Sequence, residues 1–275
     1  SFDSIKTITH TYELVDSEDR IKELCDFFLT CKILSLDTET TSTNAIDAEL
    51  VGLSFSTEES KAFYVPVPEN KHEAQKIVDI FKEVYENPSI LKIGQNIKYD
   101  ITVLRKYGVE MKGELFDCMI AHYLLQPELR HNMDYMAEAY LNYKTIHIDE
   151  LIGHKGKSQK SMRDLSPIEV YEYACEDADI TLKLYHILEP KLKELNIFNL
   201  FKDIEMPLIN VLVEMEMNGV ILDTSSLTET SRILQQRILE KERKIYEEAG
   251  TSFNIASPKQ VGEILFDRLK ISDKA

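Results

Sequence analysis

No apolar run in this chain approaches the length of a membrane span, and its first residues show neither the charged nor the apolar region of a secretion signal. A membrane-embedded or exported protein is not expected; a cytoplasmic monomer is. Cysteine is sparse. Cys25, Cys31, Cys118 and Cys175 contain no Cys-x-x-Cys pair, and 275 residues are too many to need disulfide staples, so reduced thiols are expected. The seven histidines show no metal-ligand spacing, which argues against a zinc site. Internal repeats and low-complexity segments are missing. Positive charge is also short: 32 basic residues face 48 acidic ones, for a net charge of −16. Taken alone, that balance argues against a nucleic-acid binder.

The charge is uneven, however. Residues 92–112 hold Lys92, Lys98, Arg105, Lys106 and Lys112 against Asp100 and Glu110, and residues 154–164 hold Lys155, Lys157, Lys160 and Arg163 against Asp164. A solvated face is the plain interpretation of each patch, backbone contact with a nucleic acid the sharper one. An apolar fraction of 43% is ordinary for a protein that buries a core.

Along the chain, Thr11–Val15 is extended, a helix starts at Asp16 or Ser17, and residues 32–37 form an apolar strand. Residues 50–55 and 61–66 are two further strands in an antiparallel arrangement. A helix over about 72–86 and a strand at 91–93 follow. A Gly94-Gln95-Asn96 turn then opens a helix carrying Asp100, with more helices expected at 116–125 and 132–141. Gly153–Arg163 is a polar, basic loop. Ser166-Pro167-Ile168-Glu169 is a capping box with proline at the first helical position, and Pro190 should end or kink the helix it starts. After Asn196 the pattern changes to two long helical stretches, 198–218 and 225–249, the first ending at a good glycine cap, Gly219. The class is α/β with a helical extension.

Three acidic stretches carry the chemistry: Asp37-Thr38-Glu39, Asn96-Ile97-Lys98-Tyr99-Asp100 and Tyr173-Ala174-Cys175-Glu176-Asp177. Alternate residues of a strand point the same way, so Asp37 and Glu39 can reach one cation, and Asp177 can close its coordination from a helix packed across the sheet. Asp100 can hold a second cation directly or through water. Like charges packed this closely must take up protons or bind metal. Oxygen-only ligands suit Mg²⁺ or Mn²⁺, and paired divalent cations are the apparatus of displacement at phosphorus. Tyr173 lies one helical turn before Asp177, on the same face, where its hydroxyl can meet the attacking water or the scissile phosphate. Asn96 is either a cap for the helix of Asp100 or a substrate contact, and Tyr99 either core or a stacking platform. Asp117 and Asp179 are structural.

This set of motifs resembles the DEDD exonucleases, in the subclass with tyrosine in the third motif; the histidine of the other subclass would stand at Glu172. The likeness extends further. Asp37-Thr38-Glu39-Thr40, Leu50-Val51-Gly52-Leu53-Ser54-Phe55, Gly94–Asp100 and Tyr173–Asp179 look like the exonuclease domain of family A bacterial DNA polymerases. Ile204-Glu205-Met206-Pro207-Leu208, Asn218-Gly219-Val220 and Ser257-Pro258-Lys259-Gln260 look like the start of the polymerase domain, at the base of its thumb. The resemblance implies a ribonuclease H-like fold: a mixed sheet flanked by helices, over residues 1–196, with an incomplete polymerase thumb over 197–275.

It also implies a 3′–5′ proofreading exonuclease that uses two divalent cations, Mg²⁺ or Mn²⁺, to release nucleoside 5′-monophosphates from a single-stranded or frayed DNA 3′ end. One cation would be held by Asp37, Glu39 and Asp177, the other by Asp37 and, through water, Asp100. Thr40, Thr43, Asn96, Tyr99 and Met162 fall at substrate-contacting positions. Two departures stand out: Thr43 replaces a leucine that is often wedged against the terminal base, and Met162 a phenylalanine of the basic loop. The rivals are a ribonuclease D-like RNA 3′-exonuclease, against which the tail at 204–260 argues, and an inactive exonuclease scaffold, against which the complete set of acids argues.

Overall fold

The computed structural model describes residues 2–156 and 158–272. Lys157 of the second basic patch and the terminal Asp273-Lys274-Ala275 lie outside the described residues. The chain divides into two compact units, Ser1–Asn218 and Gly219–Ala275.

The first unit is built on a six-stranded sheet of order β1-β4-β3-β2-β5-β6. Its strands are β1 (Thr11–Leu14), β2 (Ile33–Thr40), β3 (Leu50–Glu58), β4 (Lys61–Pro66), β5 (Leu91–Gly94) and β6 (Leu115–Asp117). β2, β3 and β4 pair antiparallel, whereas β1 runs parallel to β4, and β5 parallel to both β2 and β6. The expected mixed sheet is present. Around it lie α1 (Glu18–Leu29), α2 (Lys71–Glu86), α3 (Ile97–Arg105), α4 (Cys118–Leu125), α5 (Met133–Leu141), α6 (Ile148–Ile152), α7 (Pro167–Glu194), α8 (Phe198–Leu200) and α9 (Met206–Asn218).

Strand alternation assigns the two faces of the sheet. Leu34 and Leu36 of β2, Leu53 and Phe55 of β3, and Phe63 and Val65 of β4 join the principal core with Phe28 of α1 and Phe81 of α2. Ala62 and Tyr64 point the other way and pack with Val170, Ala174 and Cys175 of α7. Ser35 also faces α7, donating its hydroxyl to the Ala178 carbonyl at 2.8 Å. That bond seats the helix across the end of the strand that carries the first acidic motif.

The capping box forms as expected, the Glu169 carboxylate accepting the Ser166 backbone N–H at 2.8 Å. Pro190 does not end the helix, however, and α7 runs on to Glu194. Leu188 and Leu192, both fully buried, hold that last stretch in the core, and proline forfeits only one backbone donor there. The helix expected from residue 116 starts two residues later, after β6. Phe116 and Asp117 are drawn into the sheet by pairing with Ile93 and Gly94, a long-range contact that local periodicity does not register. Gly219, after α9, takes φ +63°, the left-handed conformation expected of a glycine cap.

The second unit is helical. Its long helix α10 (Thr224–Ala249) is capped by Asp223, which accepts the Ser226 N–H at 3.0 Å, and ends at Gly250 with φ +62°. Ser257 caps the short α11 (Pro258–Gly262). Among the described residues, no helix of either unit is long and apolar enough to cross a membrane.

Candidate active site

Ser35, Asp37 and Glu39 alternate along one face of β2, so the two acids after Ser35 face the same helix that Ser35 anchors. There they meet Asp177. One carboxylate oxygen from each of Asp37, Glu39 and Asp177 lies within 4.8 Å of the others. Glu39 is 6% exposed and Asp177 7%, and the Glu39 Oε1 atom is buried with no hydrogen-bond partner.

Asp100 arrives from the opposite layer. Thr38 points away from Asp37 and Glu39, into the file of Leu34 and Leu36, and α3 packs on that side. β5 pairs with β2 only over Ile33–Ser35, so Thr38 lies beyond its reach. The Asp100 carboxylate takes the place of the missing strand: its Oδ1 accepts both the Thr38 backbone N–H at 3.0 Å and the Thr38 hydroxyl at 2.7 Å. Asp100 therefore stands beside the three clustered acids without joining their shared oxygen cluster. Thr38 itself was not singled out by motif reasoning. Its signal is a hydroxyl in a core-facing file of leucines, where a buried donor demands a partner.

Electrostatics push all four acids toward their neutral forms. Burial raises the Asp37 carboxyl to about 6. Burial, then Asp37 and Asp100, raise Glu39 well above the usual range; burial, then Asp37, raise Asp100; burial, then Asp37 and Glu39, raise Asp177. No cationic side chain is among the groups that act most strongly on them. A buried all-oxygen set with an orphaned Glu39 oxygen and no internal counter-charge fits a hard divalent cation. Burial, then Asp177, Glu39 and Asp37, raise the Tyr173 phenol, so its hydroxyl keeps its proton beside the cluster.

The remaining expected contacts take different places. Asn96 begins α3 with φ +61°, but its side chain makes no capping bond. Asp117 caps instead, its Oδ2 accepting the Ile97 N–H at 2.8 Å. The Tyr99 hydroxyl pairs with the Thr40 hydroxyl at 2.5 Å and donates to the Ser42 carbonyl, bracing the turn after β2. Thr43 is exposed on that turn. Met162 is 5% exposed and packs with Val51, Tyr64, Val170, Ala174 and Cys175.

The first basic patch is largely committed internally, and in the second Arg163 is too. Lys98 pairs with Glu216 and Arg105 with Glu214, both on α9. Lys106 donates to the Ile46 and Ala48 carbonyls, and Lys92 is buried. Arg163 donates to the Val67 carbonyl at 2.6 Å and to that of Leu50. Asp179, structural as expected, accepts from Tyr12 at 2.7 Å, the Ser60 N–H at 2.7 Å and Lys183 at 2.8 Å.

Comparison with known proteins gives two family matches. The family described as 3′–5′ exonuclease matches residues 12–193, and the family described as DNA polymerase family A matches residues 224–275. The chain is 38% identical over 249 residues to DNA polymerase I of Pseudomonas aeruginosa, covering 86% of this chain and 27% of that one. It is 34% identical over 278 residues to DNA polymerase I of Borreliella burgdorferi, covering 98% and 30%. The chain thus spans under a third of the length of these relatives. Its fold is like that of the POL domain of Pol1 from M. smegmatis, solved with DNA primer-template and dNTP: the TM-score is 0.74 at 19% identity, over 94% of this chain and 41% of that one.

Proposed function

As this chain belongs to the 3′–5′ exonuclease family of the family A DNA polymerases, we propose that it is a proofreading exonuclease acting on single-stranded or frayed DNA 3′ ends. The observation that carries this reading is the convergence of Asp37, Glu39 and Asp177 from a strand end and a helix, with the Tyr173 hydroxyl beside them. Residues 1–196 would form the exonuclease domain and 197–275 the first part of a polymerase domain. The family match ending at residue 193 supports that division, although by its contacts the first compact unit continues to Asn218. The parent protein would be a cytoplasmic, monomeric DNA polymerase I.

Asp37, Glu39 and Asp177 would hold one Mg²⁺ or Mn²⁺, and Asp37 with Asp100 a second. Bound there, the cations would neutralise the charge that builds up during displacement at phosphorus. The protein's own groups do the rest. The four carboxylates give up protons that burial and mutual repulsion otherwise hold on them. The protonated Tyr173 hydroxyl orients the attacking water or the scissile phosphate. The Asn96 amide, free of capping, and Thr43, exposed, meet the terminal nucleotide. Thr40 and Tyr99 hold the turn that presents them, and Met162 supports the basic loop from below.

The test is cleavage of a 5′-labelled single-stranded DNA. Stepwise shortening from the 3′ end, release of nucleoside 5′-monophosphates and arrest by chelator are expected. A paired end must fray first, at a cost of a few kcal/mol, so mismatched ends should shorten faster than matched ones. Equal rates on both would count against proofreading, and faster cleavage of RNA of the same sequence would favour the ribonuclease alternative.

A further inference from the structure

We propose that Thr38 is a positioning residue: its side-chain hydroxyl sets the orientation of Asp100 and thereby the affinity of the second cation site, leaving the first untouched. The inference rests on the two-cation reading above.

Apart from Asp37, which would serve both sites, the geometry separates their ligands. Asp37, Glu39 and Asp177 share the face of β2 that looks toward α7, and nothing in their cluster depends on Thr38's side chain. Asp100 comes from the other face, and its carboxylate is held there by Thr38. Two donors from one residue converge on one oxygen, Oδ1. The backbone N–H at 3.0 Å fixes where the carboxylate sits; the hydroxyl, at 2.7 Å and from a different direction, fixes its rotation. Oδ1 is thus occupied, and Oδ2 is the oxygen left to face a cation or its water. Both residues are buried, at 6% and 2% exposure, so water does not readily replace a lost hydroxyl. Threonine also suits the place sterically, since its branched Cβ fills a strand position beside Leu36 while its oxygen reaches α3. Groups that orient ligands in this way typically change metal affinity by about 10–100-fold when removed.

Thr38→Val keeps the branched shape and deletes the hydroxyl, whereas Thr38→Ser keeps the hydroxyl. The full 275-residue chain would be titrated with Mn²⁺ alone, free Mn²⁺ being followed by electron paramagnetic resonance, with urea unfolding as a check on the fold. Wild type should bind two Mn²⁺. Thr38→Val should retain the tighter site within about twofold and weaken the other about tenfold or more, and Thr38→Ser should stay within about threefold at both. In steady state, Thr38→Val should lower kcat with little change in KM. If Thr38→Val fails to fold, Thr38→Ala takes its place.

A second-site affinity unchanged in Thr38→Val overturns the proposal. So does equal weakening of both sites, which would mark a merely structural residue, or a Thr38→Ser variant as impaired as Thr38→Val. Wild-type protein that binds fewer than two Mn²⁺ overturns the two-cation reading and this inference with it, and that outcome is visible before any variant is made.

Discussion

The Asp117 carboxylate, at the end of β6, accepts the backbone N–H of Ile97 at 2.8 Å and so caps the helix that carries Asp100. Its other oxygen accepts the Ile120 N–H at 3.1 Å, capping α4 as well. Burial raises this carboxyl, and the backbone N–H groups pull it back down. One buried acid therefore fixes two helix starts to the sheet edge. Asp117→Ala should destabilise the first unit by about 2–4 kcal/mol, two caps lost with buried donors left unpaired, as read from the urea midpoint. A loss below about 1 kcal/mol would mean that water satisfies both helix ends.

Asp37 is the acid expected to serve both cations, and the other three all suffer its charge. Asp37→Ala should abolish cleavage of single-stranded DNA. In chelator its melting temperature should stay level or rise, since removing one buried acid relieves repulsion among the rest. A marked drop in chelator would show that Asp37 is a structural partner.

Tyr173 separates mechanism from fold. Phenol is a poor neutral ligand and the carboxylates suffice, so Tyr173→Phe should keep the fold and full Mn²⁺ binding. Losing a positioning hydroxyl should slow cleavage by about 10–10³-fold. Full activity on single-stranded DNA would make it a packing residue.

Thr43 sits exposed on the turn after β2, where the resemblance leads one to expect leucine. If its small polar side chain weakens the grip on the 3′ end, Thr43→Leu should lower KM on single-stranded DNA with kcat unchanged. An unaltered KM would show that another residue supplies the apolar contact.

Lys92 lies wholly inside the sheet edge, donating to the Asn87 carbonyl and, at 2.6 Å, to that of Lys112. Burial lowers its ammonium from 10.5 to about 8. Between those pH values the unfolded chain binds the proton more than the folded one does, so stability gained from this group rises with pH. Below pH 8 both states are charged and the full cost of burying the charge persists. Wild type should therefore gain on Lys92→Met by an amount on the order of 3 kcal/mol as pH climbs from 8 to 10.5, measured by urea unfolding at each pH. A difference independent of pH would mean that the amine is held at its ordinary value.

Much of the site was legible as local pattern. Asp37 and Glu39 are two apart on a strand, Tyr173 and Asp177 four apart on a helix, and each spacing places both side chains on one face whatever the rest of the chain does. The apolar strand before Asp37, the capping box at Ser166 and the glycine after Asn218 are likewise short-range, and all took their expected forms. Extrapolating local rules failed at Pro190, where burial of Leu188 and Leu192 outweighs one lost hydrogen bond, and at Phe116, where strand pairing delays the helix.

By itself, then, the sequence determined which residues bear the chemistry and which short elements carry them, because backbone period and capping act over a few residues. Tertiary structure alone decided what those residues answer to. Asp100 is bound to Thr38, 62 positions away, and Asp117 rather than Asn96 caps α3. Lys98 and Arg105, basic in a one-dimensional count, are engaged by Glu216 and Glu214 more than a hundred residues later. Such pairings arise where packed layers bring buried donors, acceptors and charges within a few ångströms, and desolvation then compels each to find a partner. Spacing along the chain carries no record of that proximity.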